Sequence, residues 1–269
     1  MSAAASTETT RTPGFEATFT SEWRKIRALR STPIGIVLIL LVSVGVGVFI
    51  TVIGDSSAIA EAQAQSDYSV IFYSSGLTTW AFVFLAAGFI ASEFHGMGES
   101  TFVATARRGR VLAVKLVLIA TGGLIVGLLA SVMAVTATQG MLAARGFEPL
   151  DLTDPGLMRA VVLLVGTSMA VQGVLAACFA VLVRSAAGAV VITGLISLVP
   201  VSLAQFLGEW YSANVPRWLP GAAAESLAGV SAPGSYGYLS APPAAACIVA
   251  WIAVLCAIAA LRLPRMDIR

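Results

Sequence analysis

Residues 92–115 read SEFHGMGESTFVATARRGRVLAVK, a polar, basic interruption between two long apolar runs. It is the only long loop in the chain that combines positive charge, hinge glycines at Gly96 and Gly98, and a helix-capable segment. The flanking runs, 70–91 and 111–138, are each long enough to cross a bilayer, because about 20 helical residues rising 1.5 Å each match a hydrocarbon core of about 30 Å. Composition agrees: 58% of the residues are hydrophobic and 11% charged, against about 45–50% and about 25% in a soluble domain. So little polar surface does not dissolve as a globule. Cys178, Cys247 and Cys256 all fall inside apolar runs and read as small buried hydrophobes, with neither a disulfide framework nor a metal site implied.

Toward the N-terminus, residues 33–53 form the first apolar span. The Ala62-Gln63-Ala64 triplet has the form of a signal-peptidase site, but the apolar run is too long and its leader too extended for a cleaved signal, so a retained anchor is expected. Residues 1–12 are expected to be a disordered tail. Thr12 and Pro13 then supply a capping residue and a first-turn proline. Phe15, Phe19, Trp23, Ile26 and Leu29 recur every three or four residues and share one helical face, with Arg24, Lys25 and Arg27 elsewhere on the wheel. The pattern predicts an amphipathic helix over 13–31 lying in the membrane interface. An ordinary core helix would need a soluble mass to pack on, and the chain offers none.

Toward the C-terminus the expected spans are 158–183, 186–207 with a bend at Pro200, and 243–261. The intervening 208–242 is rich in Trp, Tyr, Pro and Gly and suits the lipid-headgroup level, with short re-entrant or surface helices such as 220–230. The predicted fold class is an all-α polytopic membrane protein with six transmembrane helices. Six spans make the connecting segments alternate between two sides. Of the 16 Lys and Arg residues, all but Arg145, Arg159 and Arg217 fall on the side of the two termini and of 92–115. The positive-inside bias therefore predicts cytoplasmic termini and a cytoplasmic 92–115 segment.

Chemistry of the chain's own is sparse. A Walker phosphate loop requires Gly-Lys, and Lys25 and Lys115 follow Arg24 and Val114. His95, with Glu93 and Glu99 nearby, lacks the spacing of a metalloprotease site. Serines such as Ser168 and Ser197 have no histidine or lysine at membrane depth to activate them. No catalytic, cofactor or metal site and no nucleic-acid partner is expected. No Asp or Glu lies in the middle of a predicted span, which speaks against a proton-coupled carrier. An autonomous carrier or channel, and a membrane anchor that binds a cytoplasmic partner, stay open on these grounds.

The order of four features resembles the permease subunits of ABC-2 type ABC transporters, especially actinobacterial ones. They are SEWRKIRALRSTP before the first span, ASEFHGMGESTFVATARRGRVLAVKL closing the second, the six-span plan, and PRWLPGAAAESLAGV before the last span. The resemblance covers almost the whole chain and implies a single transmembrane domain over 13–269. It implies an elbow helix carrying Phe15, Phe19, Trp23, Arg24, Lys25, Ile26 and Arg27 along the cytoplasmic leaflet. It implies a coupling helix between spans 2 and 3, seated on a separate ATP-binding subunit that holds ATP and Mg. Glu93, Glu99, Phe102, Val103, Arg107, Arg108 and Arg110 are the residues it assigns to that contact, the arginines facing the subunit or anionic lipid. It further implies short extracellular re-entrant helices before span 6, a second permease copy, identical or paralogous, membrane lipids as partners, and a plasma-membrane location. Many relatives open the loop with Glu-x-x-x-Gly-Thr, where residues 96–101 here read GMGEST.

Overall fold

A computed structural model describes residues 14–55, 57, 59, 71–94, 108–231, 233–235 and 237–262, and all regular structure among them is helical. Six helical segments are long and apolar enough to cross a membrane. The expected tail at 1–12 and the Thr12-Pro13 helix start lie outside the described residues, as does the expected coupling helix with Glu99, Phe102, Val103 and Arg107.

Helix α1 (Phe15–Ala28) starts from an extended Gly14 and stops where Leu29 turns extended, so it is shorter than the expected 13–31. Helix α2 (Ser31–Ile53) follows directly, with Pro33 in its first turn, where a missing N–H leaves no helical bond unmade. Helix α3 (Ser75–Ala91) begins five residues later than the apolar run, because 71–74 form turns and the Ser75 N–H donates to Phe72 O at 2.8 Å. A 3₁₀ turn, Ser92–Phe94, ends it. Helix α4 (Arg108–Ala144) outruns its predicted span at both ends; at 37 residues it is about 55 Å long. Residues 139–144, beyond the predicted span, continue the helix because Met, Leu and Ala favour it. The stop comes at Gly146, whose φ of 76° lets the Phe147 N–H turn back to Leu142 O at 3.0 Å.

Helix α5 (Pro155–Val183) is capped by Asp154, which accepts from the Gly156 N–H at 3.0 Å, with Pro155 at the first position. Arg184, in the left-handed conformation at φ 55°, ends it and allows an immediate turn into α6 (Ala186–Ser197), capped by Ser185. The fifth span is broken rather than continuous to 207: α7 (Val199–Leu203) is separated from α6 at Leu198, since Pro200 has no N–H to extend the ladder. After α8 (Glu209–Asn214) and a 3₁₀ turn at Pro216–Trp218 comes α9 (Pro220–Ala228), closed by Gly229 at φ 78° and so ending short of 230. Helix α10 (Ala241–Arg262) completes the chain of helices.

Helix α5 is the hub, packing on α3, α4, α6, α9 and α10, and it is buried without interruption from Met169 to Val181. Its closest neighbour is α4. Gly123 and Gly127, spaced GxxxG, lie directly against the α5 backbone: a Cβ on Gly127 would stand 2.4 Å from Gly166 Cα, and one on Gly123 2.7 Å from Ala170 N. In lipid, helices associate mainly through such close packing, because moving an apolar side chain from lipid to protein yields little. Gly127→Ala is therefore expected to lower the thermal midpoint of the detergent-solubilised protein, at a cost of about 1–3 kcal/mol. Gly45→Ala, which meets nothing within 4 Å, serves as the control. Equal midpoints for the two variants would show that the α4–α5 contact is not tight.

Candidate functional site: a buried ion cluster at the root of the 95–107 segment

The polar feature that the fold builds most deliberately joins α1, the end of α3 and the start of α4. Lys115, two turns into α4, is fully buried. Its ammonium lies 2.8 Å from Glu22 Oε2 of α1 and 3.0 Å from Glu93 Oε1 in the 3₁₀ turn after α3. Lys25, one turn beyond Glu22, closes the cluster at 2.8 Å from Glu22 Oε1 and 3.1 Å from Glu93 Oε1. Glu22 and Glu93 are 2% and 5% exposed, so two buried carboxylates share two ammonium groups and the charges balance. The Phe89 ring, one turn before Glu93, covers Lys115 Nζ at 3.6 Å from its centroid. Removing one member strands another charge out of water, which is where the cost of a buried pair lies.

Burial by itself opposes ionisation of Glu22, but the ammonium groups of Lys115 and Lys25 outweigh it and hold the carboxyl below its ordinary value of 4.5. Burial also works against the Lys25 charge, and here Glu22 and Glu93 prevail, raising it above its ordinary 10.5. Glu22 is thus held ionised by its partners, which makes it a poor proton donor or acceptor. The arrangement is a joint: Glu93 and Lys115 stand on the two sides of residues 95–107, and α1 binds both. Displacing either side relative to α1 pulls a buried ion pair apart.

The residues singled out in the sequence separate accordingly. Glu93 and Lys25 come together in the cluster, Lys25 half-buried there while Arg24 and Arg27 are exposed. Phe15 and Trp23 are 51% and 47% exposed, and Phe19 and Ile26 half-buried, so the described protein leaves much of this apolar face uncovered. Arg108 opens α4 and Arg110 is half-buried in its first turn. Glu22 and Lys115 were not singled out, although both carried a signal. Glu22 lies three residues after Phe19 and four before Ile26, a charge on the apolar face, and Lys115 is a charge inside the apolar run 111–138.

The opposite end of the bundle has its own clamps. Arg145, just past α4, donates from Nη1 to Thr51 O and Gly54 O at the end of α2. Arg159 on α5 donates from Nε and Nη2 to Leu227 O at 2.9 and 2.7 Å, closing the C-terminal end of α9. Among the described residues no group of three or more His, Cys, Asp or Glu could hold a metal ion. Comparison of the chain with protein-family models, curated proteins and solved structures finds no match in any of the three.

Glu22→Ala leaves Lys115 half-paired and is expected to cost about 3–5 kcal/mol of stability, whereas the double variant Glu22→Leu/Lys115→Met, in which Lys25 still pairs with Glu93, recovers most of the loss. A double variant no more stable than the single one would disprove the pairing. The pH profile carries a sign. Glu22 contributes fully above 4.5 and loses its contribution as pH falls through its lower native value, while Lys25 contributes fully below 10.5 and loses it as pH rises through its higher one. Relative to Glu22→Gln, the wild-type thermal midpoint should keep its advantage from pH 4.5 to 10.5 and lose it only outside that window.

Proposed function

We propose that this chain is the membrane-spanning permease subunit of an ATP-driven ABC exporter, paired with a second permease copy and coupled to a separate ATP-binding subunit. The termini and residues 95–107 face the cytoplasm in this reading, and the protein resides in the bacterial plasma membrane. The observation that carries it is the ion cluster, which ties the interfacial helix α1 to both sides of the segment that ABC-2 permeases present to their ATPase. A carrier driven from within the membrane has no use for such a joint at its surface. A subunit pushed from outside has, because the joint passes displacement of one segment to α1, α3 and α4 together.

ATP-driven closure of two nucleotide-binding subunits presses on two copies of residues 95–107. Phe102 and Val103 seat in a groove on the ATPase, and Arg107, Arg108 and Arg110 face it or anionic lipid. Glu93 and Lys115 convey the push to α3 and α4, whose tilt against α5 opens a path between the facing permease copies. The apolar spans suit a lipid-like or amphipathic cargo.

Coexpression with the neighbouring genes, purification in mild detergent and mass spectrometry test this directly. A stoichiometric ATP-binding subunit is expected, lost on Phe102→Asp/Val103→Asp while the permease itself still purifies folded. A folded protein with no such partner would overturn the reading and turn attention to an autonomous carrier or an anchor.

A further inference from the structure

Sequence reasoning found no carboxylate within the predicted spans, yet the fold packs one alongside them on a helix of its own. Helix α9 lies against two spans, α5 and α10. Near its C-terminal end Leu227 O is held by Arg159, in the second turn of α5. Near its N-terminal end Gly221 stands beside Gln172, a Cβ there lying 3.4 Å from Nε2. Arg159 and Gln172 are 13 residues apart on α5, about 20 Å along its axis, and their side chains reach toward the two ends of α9, whose nine residues rise about 13 Å. Glu225 lies between these anchors, one turn from Gly221 on the same side of the helix. Pro220, Ala222, Ala223, Ala224, Ser226 and Ala228 are buried, whereas Glu225 is exposed, with no ion pair or hydrogen bond to its side chain among the described residues. The neighbouring wall is polar as well: Gln172 Oε1 accepts from the Ser197 hydroxyl at 2.9 Å, both residues buried between α5 and α6.

An unpaired carboxylate packed alongside apolar spans cannot face acyl chains without a large cost, so it calls for a water-filled cavity or a charged ligand. We infer that Glu225, on the Gln172–Ser197 side of α9, is a cation-binding group that receives the positively charged head of an amphipathic cargo. The amine, guanidinium or phosphonium head supplies the missing counter-charge, and the apolar helices around it accommodate the hydrophobic body. Gln172 is a positioning residue, its amide fixed by Ser197 and close to the cargo-facing side of α9. The inference deepens the transport reading and rests on it for cargo delivery, but binding itself requires no ATPase.

The test uses the full-length protein in lipid nanodiscs, with tetraphenylphosphonium as the cation and tetraphenylmethane-type neutral analogues as controls. Wild type is expected to bind the cation saturably, Glu225→Gln to weaken it at least about tenfold, as loss of one charge-assisted contact implies, and Glu225→Asp to stay within about threefold. Binding of the neutral analogue should not change. Dicyclohexylcarbodiimide, a membrane-soluble carboxyl reagent, supplies a readout on unmutated protein: it should modify Glu225, and saturating tetraphenylphosphonium should block that modification. Equal cation affinity in wild type and Glu225→Gln, or modification that the cation does not block, overturns the inference; unblocked modification points to a proton-binding carboxyl instead. Loss of the ATPase partner in copurification, by contrast, would overturn the permease reading and leave a measured cation site standing.

Discussion

The Lys115 ammonium sets the terms for the whole end of the bundle at which α1 lies. A lysine with no solvent contact can stay charged only if counter-charges reach it, and none is available on α4 itself. Glu93 arrives from the turn after α3 and Glu22 from α1, so satisfying one ammonium fixes three elements that are far apart in sequence. Lys25 then balances the second carboxylate, and Phe89 closes the site from the α3 side. Apolar packing between helices in lipid tolerates sliding. A buried ion cluster does not, because its energy falls steeply once a pair separates and no water replaces it. That difference explains why α1, a helix with few apolar contacts of its own, holds a defined position.

The rest of the bundle is arranged around α5 by a different constraint. Small residues let α4 approach it closely at Gly123, Gly127 and Gly166, which leaves the larger side chains of α3, α6 and α10 to fill the remaining faces. Irregular backbone packed among apolar helices must be satisfied by protein, and the segment before the last span shows how. Arg159 takes the last carbonyls of α9, the Ser226 hydroxyl bridges Gly237 O and the Leu239 N–H, and the Trp251 indole reaches Trp218 O. With its backbone supplied in this way, α9 can lie among the spans and carry Glu225 with it.

Much of this was legible in the residues. Apolar runs of bilayer length, separated by polar or glycine- and proline-rich joints, revealed six helices long and apolar enough to cross a membrane, and the predicted end of α5 at Val183 was met, while its start lies at Pro155 rather than 158. Boundaries were read less well. The helical continuation through Gln139–Ala144 was hidden because a window of hydropathy reports where a helix leaves lipid, not where its hydrogen bonds stop. Glu22 was passed over because amphipathicity is judged from the majority of a face, and one charge among Phe19, Trp23 and Ile26 looks like noise until a partner is known. Lys115 was read as the last residue of a basic loop, since a charge near the end of an apolar run ordinarily reaches back to the interface.

The sequence by itself determined what depends on one residue and its near neighbours: the all-helical class, the number of apolar crossings, the basic segment between the second and third, and the amphipathic α1. These follow from length, period and the location of charge. Tertiary structure alone decided which charges meet, where α9 lies, and that Glu225 stands unpaired beside the spans. Such facts concern distances between segments far apart in the chain, as with Glu22 and Lys115, 93 residues apart. A single sequence carries no term for the energy of a pair until folding has brought its two members into contact.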